Sequence, residues 1–261
     1  MDKLNAKLLI QKIQETLIKN NFDYQEHING LGQVCASEKR DKGKTFTINE
    51  HLKGLILAML SSQKPWEVIA NNINEIDQIF FNYDLDEILN KNGIYFEDKV
   101  TDISCGNISI KAQMESLNHN IEILKNIQND HGSVDNYVVS ETPDKIANEI
   151  GNLGGKYKLE QIGFPLALEY LKNVGIKAIK PDRHLRRIIS RERLGFTVGK
   201  PKEAETFQLM NNMAKEIEIN PTYFDNLLWL FCAKGYGEIC GKNPKCGVCE
   251  LKQYCNFPPK N

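Results

Sequence analysis

The chain has 261 residues, a formal net charge of −1, 41% hydrophobic residues and 26% charged ones. That composition can bury a proper core, so no metal is needed merely to fold, and the length suits one large domain or two small ones. A mean hydropathy of −0.43 and the lack of any run of membrane-spanning length argue against a membrane protein, and the near-neutral balance gives no compositional hint of a nucleic-acid partner.

The N-terminal stretch MDKLNAKLLIQKIQETL interleaves charge with apolar residues, so it reads as an amphipathic helix and not as a signal peptide. A cytoplasmic protein with no membrane partner is expected. Leu4, Leu8, Ile10, Ile13 and Leu17 supply the apolar face of that helix. Residues 22–49 carry no defensible motif, and TFTIN at 45–49 is too short to build a sheet. Residues 50–61 (EHLKGLILAMLS) are apolar almost all round, which marks a buried core helix. Helical periodicity returns at 65–81 and 111–127, and Thr142-Pro143-Asp144 opens a further helix with proline in its first turn. Helices are also predicted at 164–174, 183–194, 201–218 and 222–233. The expected class is all-α, with no internal repeat and no linker to mark a domain boundary.

Charge is uneven along the chain. Residues 71–98 hold Glu75, Asp77, Asp84, Asp86, Glu87, Glu97 and Asp98 against Lys91 alone. Residues 180–193 instead carry Lys180, Arg183, Arg186, Arg187, Arg191 and Arg193 against Asp182 and Glu192. A basic helix is ordinarily a solvated face; a surface turned towards a polyanion is the sharper reading.

Near the C-terminus Cys240, Cys246, Cys249 and Cys255 follow the spacing C-x5-C-x2-C-x5-C. In a reducing compartment such clustering argues for metal ligation over a disulfide framework. Zinc and an iron–sulfur cluster both suit thiolate ligands. A single C-x2-C closely flanked by outer cysteines fits the corners of a cube somewhat better than two opposed zinc knuckles. Cys35, Cys105 and Cys232 lack comparable spacing and are expected to be ordinary buried thiols.

The stretch NPKCGVC with Cys255, following WLFCAKGYGEIC, resembles the iron–sulfur loop of endonuclease III-like DNA glycosylases, members of the helix-hairpin-helix (HhH-GPD) superfamily. The gap between the first two cysteines is one residue shorter than is usual there. QIGFPLALEYLKNVGIKAIKPDRHLRRII (161–189) resembles the family's hairpin and catalytic segment. The resemblance implies a [4Fe-4S] cluster on Cys240, Cys246, Cys249 and Cys255, and Asp182 as the catalytic carboxylate. It further implies DNA-backbone contacts from the hairpin at Ile162, Gly163 and Phe164, and from Arg183, His184, Arg186 and Lys245, with Lys242 a further candidate. Gly163 is able to take a positive φ, Pro165 suits a first helical turn, and free N–H groups at such a helix start can hold a phosphate. Asp182 is equally suited to cap the helix that follows it.

LSSQKPW (60–66) resembles the family's Ser-x-Gln segment, placing Gln63 where a polar side chain fills the hole left by a flipped base. Trp66 is a candidate to stack on that base in the substrate pocket. SIKAQ (109–113) resembles a family helix start at which Lys111 faces solvent or phosphate. Bifunctional members carry a nucleophilic lysine where this chain has Pro165, so the expectation is a monofunctional base-excision glycosylase acting as a monomer on damaged or mispaired double-stranded DNA. Trp66 leans the substrate towards alkylated purines. The alternatives are a bifunctional glycosylase with lyase activity, a non-enzymatic DNA-structure-binding protein and a zinc-binding interaction module. The implied fold has two helical lobes flanking a DNA cleft: a barrel at 45–172 ending in the hairpin, and a cluster lobe of 1–44 plus 173–261.

Overall fold

The computed structural model describes residues 4–257, which form sixteen α-helices, three short 3-10 turns and no strand. The all-α expectation holds. In chain order the first eight helices are α1 (Ala6–Lys19), α2 (Tyr24–Gly30), α3 (Gln33–Asp41), α4 (Ile48–Leu60), α5 (Trp66–Asn71), α6 (Ile73–Ile79), α7 (Leu85–Leu89) and α8 (Gly93–Asp102). They are followed by α9 (Ile110–Glu115), α10 (Leu117–His131), α11 (Val134–Val138), α12 (Pro143–Gly151), α13 (Phe164–Asn173), α14 (Arg183–Ile188), α15 (Glu203–Glu216) and α16 (Pro221–Cys232). Among the described residues no helix is long and apolar enough to cross a membrane.

Several predicted helices are shorter than their periodicity suggests. The 65–81 pattern breaks at Asn72, whose side chain donates to the Val68 carbonyl at 2.8 Å and so competes with helix continuation. The 111–127 pattern breaks at Ser116, where α9 gives way to α10. The 183–194 pattern ends at Ile188, and Gly195 at φ +69° turns its amide back onto the Ser190 carbonyl at 2.9 Å. Conversely, residues 22–49 hold α2 and α3.

The chain divides into two compact units, Ala36–Ile176 and the remainder, in which the segment up to Cys35 joins the segment from Lys177 onward. In the first, α4 starts on a capping box between Thr47 and Glu50, and its residues from His51 to Leu60 are largely buried. It packs on α13, which packs in turn on α12. His51 is fully buried and is held by the Tyr170 hydroxyl at 2.7 Å and by Asp135 at 3.2 Å. Arg40 grips both Asp135 oxygens (2.6 and 3.2 Å) and donates to the Val174 carbonyl at 2.7 Å.

Burial opposes ionisation of Asp135, but the hydrogen bonds from His51 and Arg40 outweigh it and hold its pKa at about 2. A folded pKa below the usual carboxylate value means stabilisation that is present above about pH 4 and lost as the pH falls towards 2. Asp135→Asn strands the Arg40 charge, so urea denaturation at neutral pH should show a loss of about 3 kcal/mol. It should also flatten the acid limb of the stability profile.

The second unit is organised around α16, which packs on α1, α2, α14 and α15. Phe224, Leu227, Leu228, Leu230 and Phe231 are buried on it at 1% exposure or less. Contacts distant in sequence close the unit: Gln14 with the Tyr223 hydroxyl at 3.0 Å, and the Glu250 amide with Thr16 Oγ1 at 3.1 Å.

Candidate functional site

In the Ala36–Ile176 unit, the segment between α12 and α13 forms a hairpin pinned from its own side chains outward. Asn120 exchanges hydrogen bonds with the backbone of Glu160 (2.7 and 3.1 Å), and the Tyr157 hydroxyl donates to Asp130 at 2.6 Å. The Lys158 amine donates to the Leu159 and Ile162 carbonyls. Glycine is needed at Gly155, where an added Cβ would lie 1.8 Å from the Glu149 carbonyl oxygen. Ile162 and Phe164 are buried and Gly163 is exposed, so the hairpin presents backbone at Gly163. Gly163 sits at φ −98°, ψ 174°, not at positive φ; the left-handed residue is Gln161, at φ 60°. Pro165 does lie in the first turn of α13, where its missing N–H costs nothing.

Gln63 is exposed in the turn after α4 with φ 56°, a strained value for a non-glycine residue. Trp66 begins α5 and is half-buried. The Lys64 amine donates to the Gly106 carbonyl at 2.9 Å, and Asn107 donates to the Met59 carbonyl at 3.0 Å. These bonds tie the Gln63 turn to the loop carrying Ile108, which is 85% exposed. Sequence reasoning passed over Ile108; an isoleucine inside the polar loop CGNIS was the available signal. Lys111 lies in α9, exposed as expected.

In the other unit, the strand-like segment before Asp182 is fixed to α16 by Ala178 N–H to Thr222 Oγ1 (3.2 Å) and Lys180 N–H to Asp225 Oδ2 (3.1 Å). Asp182 caps α14, its Oδ1 accepting from the His184 and Leu185 amides at 2.7 and 3.0 Å. Among the described residues Oδ2 has no hydrogen bond. The carboxylate is thus locked through one oxygen, with the other available for chemistry. Burial lowers the His184 pKa, leaving a neutral ring whose Nδ1 accepts from Arg187 at 3.0 Å and whose Nε2 carries the proton.

The same Arg187 reaches the Cys240 carbonyl at 2.9 Å, joining the Asp182 helix to the cysteine loop. Arg183 and Lys245 are exposed, with Lys245 3.9 Å from Glu238. Arg186 is engaged with the Pro201 carbonyl at 2.9 Å and lies 3.7 Å from Glu203. Arg187 and Arg193 turn inward, so the basic run is not one uniform exposed face.

Cys240, Cys246, Cys249 and Cys255 line one small cavity of about 20 Å³ together with Ile188, Leu194 and Phe231. Burial, joined by the like charge of the other three thiols, pushes Cys249 up to about 12. A hydrogen bond from Cys232, then Arg193 and Arg187, holds Cys240 down at about 7. Four thiols lining one largely apolar cavity are the donor chemistry that a soft-metal thiolate site would need. Among the described residues, no group of three or more His, Cys, Asp or Glu side chains is gathered to hold a metal ion. Of the remaining cysteines, Cys105 and Cys232 are buried as expected; Cys35 is exposed, because α3 turns Gln33 and Ser37 inward and position 35 lies on the opposite side of the helix.

The fold is similar to that of solved DNA glycosylases. One is the Methanocaldococcus jannaschii 8-oxoguanine glycosylase/lyase in complex with 15mer DNA containing 8-oxoguanine, 20% identical over 85% of this chain and 96% of that one, TM-score 0.55. Another is Tm1821, the 8-oxoguanine DNA glycosylase of Thermotoga maritima, 14% identical over 87% of this chain and 97% of that one, TM-score 0.55. No family model matches the sequence, and no curated protein matches it.

Proposed function

We propose that the chain is a DNA glycosylase that removes a damaged or mispaired base from double-stranded DNA by flipping and hydrolysis. The observation that carries this reading is Asp182, a carboxylate fixed at the head of a basic helix with one oxygen uncommitted. Departure of a base leaves positive charge on the deoxyribose, and a positioned carboxylate stabilises that charge. As the N-glycosidic bond breaks, its electron pair leaves with the base. Water adds to the sugar carbon, and its proton leaves through Asp182 to solvent or to the base.

The hairpin at Gly163 is assigned to a backbone phosphate, and in the other unit Arg183, His184, Arg186 and Lys245 are likewise assigned to the DNA backbone. Gln63 and the exposed Ile108 are assigned to the gap left in the duplex, where polar and apolar wedges replace stacking. Trp66 is assigned to the base itself. The four cysteines are assigned to a [4Fe-4S] cluster, which would supply structural cross-linking of the C-terminal loop. The named lesions of both similar structures make 8-oxoguanine the first substrate to assay, with alkylated purines next. Release of one base from a panel of single-lesion duplexes tests the reading, and a chain inert on every lesion would refute it.

Phe164 and Pro165 open α13 with no amine, which supports hydrolysis without a covalent intermediate. Borohydride trapping on substrate DNA should therefore give no adduct above background. One observation favours a second reading, with lyase activity: burial lowers the pKa of Lys158, within the hairpin. An efficient adduct abolished by Lys158→Ala would establish that reading instead.

A further inference from the structure

Arg193 belongs by sequence to the basic run, yet it is 7% exposed and lines the cysteine cavity. Its backbone is fixed at both ends: its amide donates to the Ser190 carbonyl at 3.0 Å, and its carbonyl accepts from the Asn256 amide at 2.7 Å. The guanidinium lies 3.6 Å from the centroid of the Phe257 ring, a close cation–π contact. Among the described residues no carboxylate pairs with it, and its buried Nε has no hydrogen-bond partner. What it faces instead is sulfur: it lines the same pocket as Cys240, Cys246, Cys249 and Cys255, and its carbonyl holds Asn256, the residue after Cys255. A buried guanidinium without a carboxylate is costly unless another anion faces it. The four cysteines of the same cavity, as cluster ligands, would be that anion.

We propose that Arg193 is the built-in counter-charge of the cysteine site and sets the reduction potential of the cluster that the site holds. The inference rests on the cluster reading above. A fixed positive charge and a hydrogen bond to a ligand sulfur both favour the more reduced, more negative state, so each raises the potential. Phe257 holds the guanidinium in place, and the apolar walls of Ile188, Leu194 and Phe231 keep solvent from screening it.

The test is an anaerobic redox titration of the purified full-length chain and its Arg193→Gln and Arg193→Lys variants, followed by visible absorption and electron paramagnetic resonance. In Arg193→Gln the oxidised-to-reduced ratio at a fixed ambient potential should rise at least tenfold, about 59 mV lower for a one-electron couple. Arg193→Lys keeps the charge but not the planar guanidinium that lies on Phe257, and should shift the ratio about threefold in the same direction. A fully loaded Arg193→Gln protein with the wild-type potential overturns the role of Arg193 and leaves the cluster reading standing. If Arg193→Gln does not load, Arg193→Lys decides: a lowered potential supports the proposal and an unchanged one overturns it. A wild-type chain purified without iron and acid-labile sulfide removes the cluster reading and this inference together.

Discussion

Asp182→Asn should lower the rate of base release by about three orders of magnitude, the scale expected when one preorganised electrostatic stabiliser is removed from a charged transition state. Asparagine still caps α14, because its side-chain oxygen can accept from the His184 and Leu185 amides as Asp182 does. Thermal stability and duplex binding should therefore stay near wild type while single-turnover excision collapses. Asp182→Ala separates the two roles. It removes both carboxylate and cap, so it should lose activity to the same extent and also about 1 kcal/mol of stability. Turnover by Asp182→Asn within tenfold of wild type would refute the catalytic assignment and leave Asp182 as a cap alone.

Cys249→Ser should have the second large effect. Cys249 shares its cavity with the other three cysteines and lies between Cys246 and Cys255 in the loop. Serine is a poor ligand for a soft metal, so a site of this kind should bleach and lose iron. The wild-type chain should purify brown, with iron and acid-labile sulfide in equal amounts; the variant should be pale and melt at lower temperature. Cys35→Ser, at an exposed thiol away from that cavity, is the control and should change neither colour nor melting. A colourless wild type binding stoichiometric zinc would assign the same thiols to zinc.

The sequence features that were legible are those written over short spans. Four cysteines within sixteen positions were bound to share a neighbourhood, and they line one cavity. An aspartate ahead of a helical pattern was readable as a cap, and Pro165 as a first-turn residue, because both signals depend on one helical turn. What escaped depended on tertiary direction. A run of arginines reads as a basic face, but only packing shows that Arg187 reaches the Cys240 carbonyl and that Arg193 lies under Phe257. The glycine at position 163 permitted a left-handed turn, yet the chain spends that conformation on Gln161, whose neighbour Glu160 is already fixed by Asn120. Helix ends at Asn72 and Ser116 were hidden because the apolar periodicity continues across a polar residue that turns back on its own backbone.

The division of the chain has a consequence for how the molecule is made. The amide of Glu250 bonds to a threonine 234 residues earlier, and α1 packs on α16 from the opposite end of the sequence. Ala36–Ile176, by contrast, is one uninterrupted stretch. On a ribosome that stretch is complete while α1 still waits for its partner, so the helices from α4 to α13 are the first to be able to settle. The unit holding Asp182 and the cysteines is built from both ends of the sequence, so its long-range contacts form only after the last of these residues has emerged. The contacts between α1 and α16 and between Thr16 and Glu250 would then be among the last to form, so damage to either end of the sequence should unsettle that unit and spare the other.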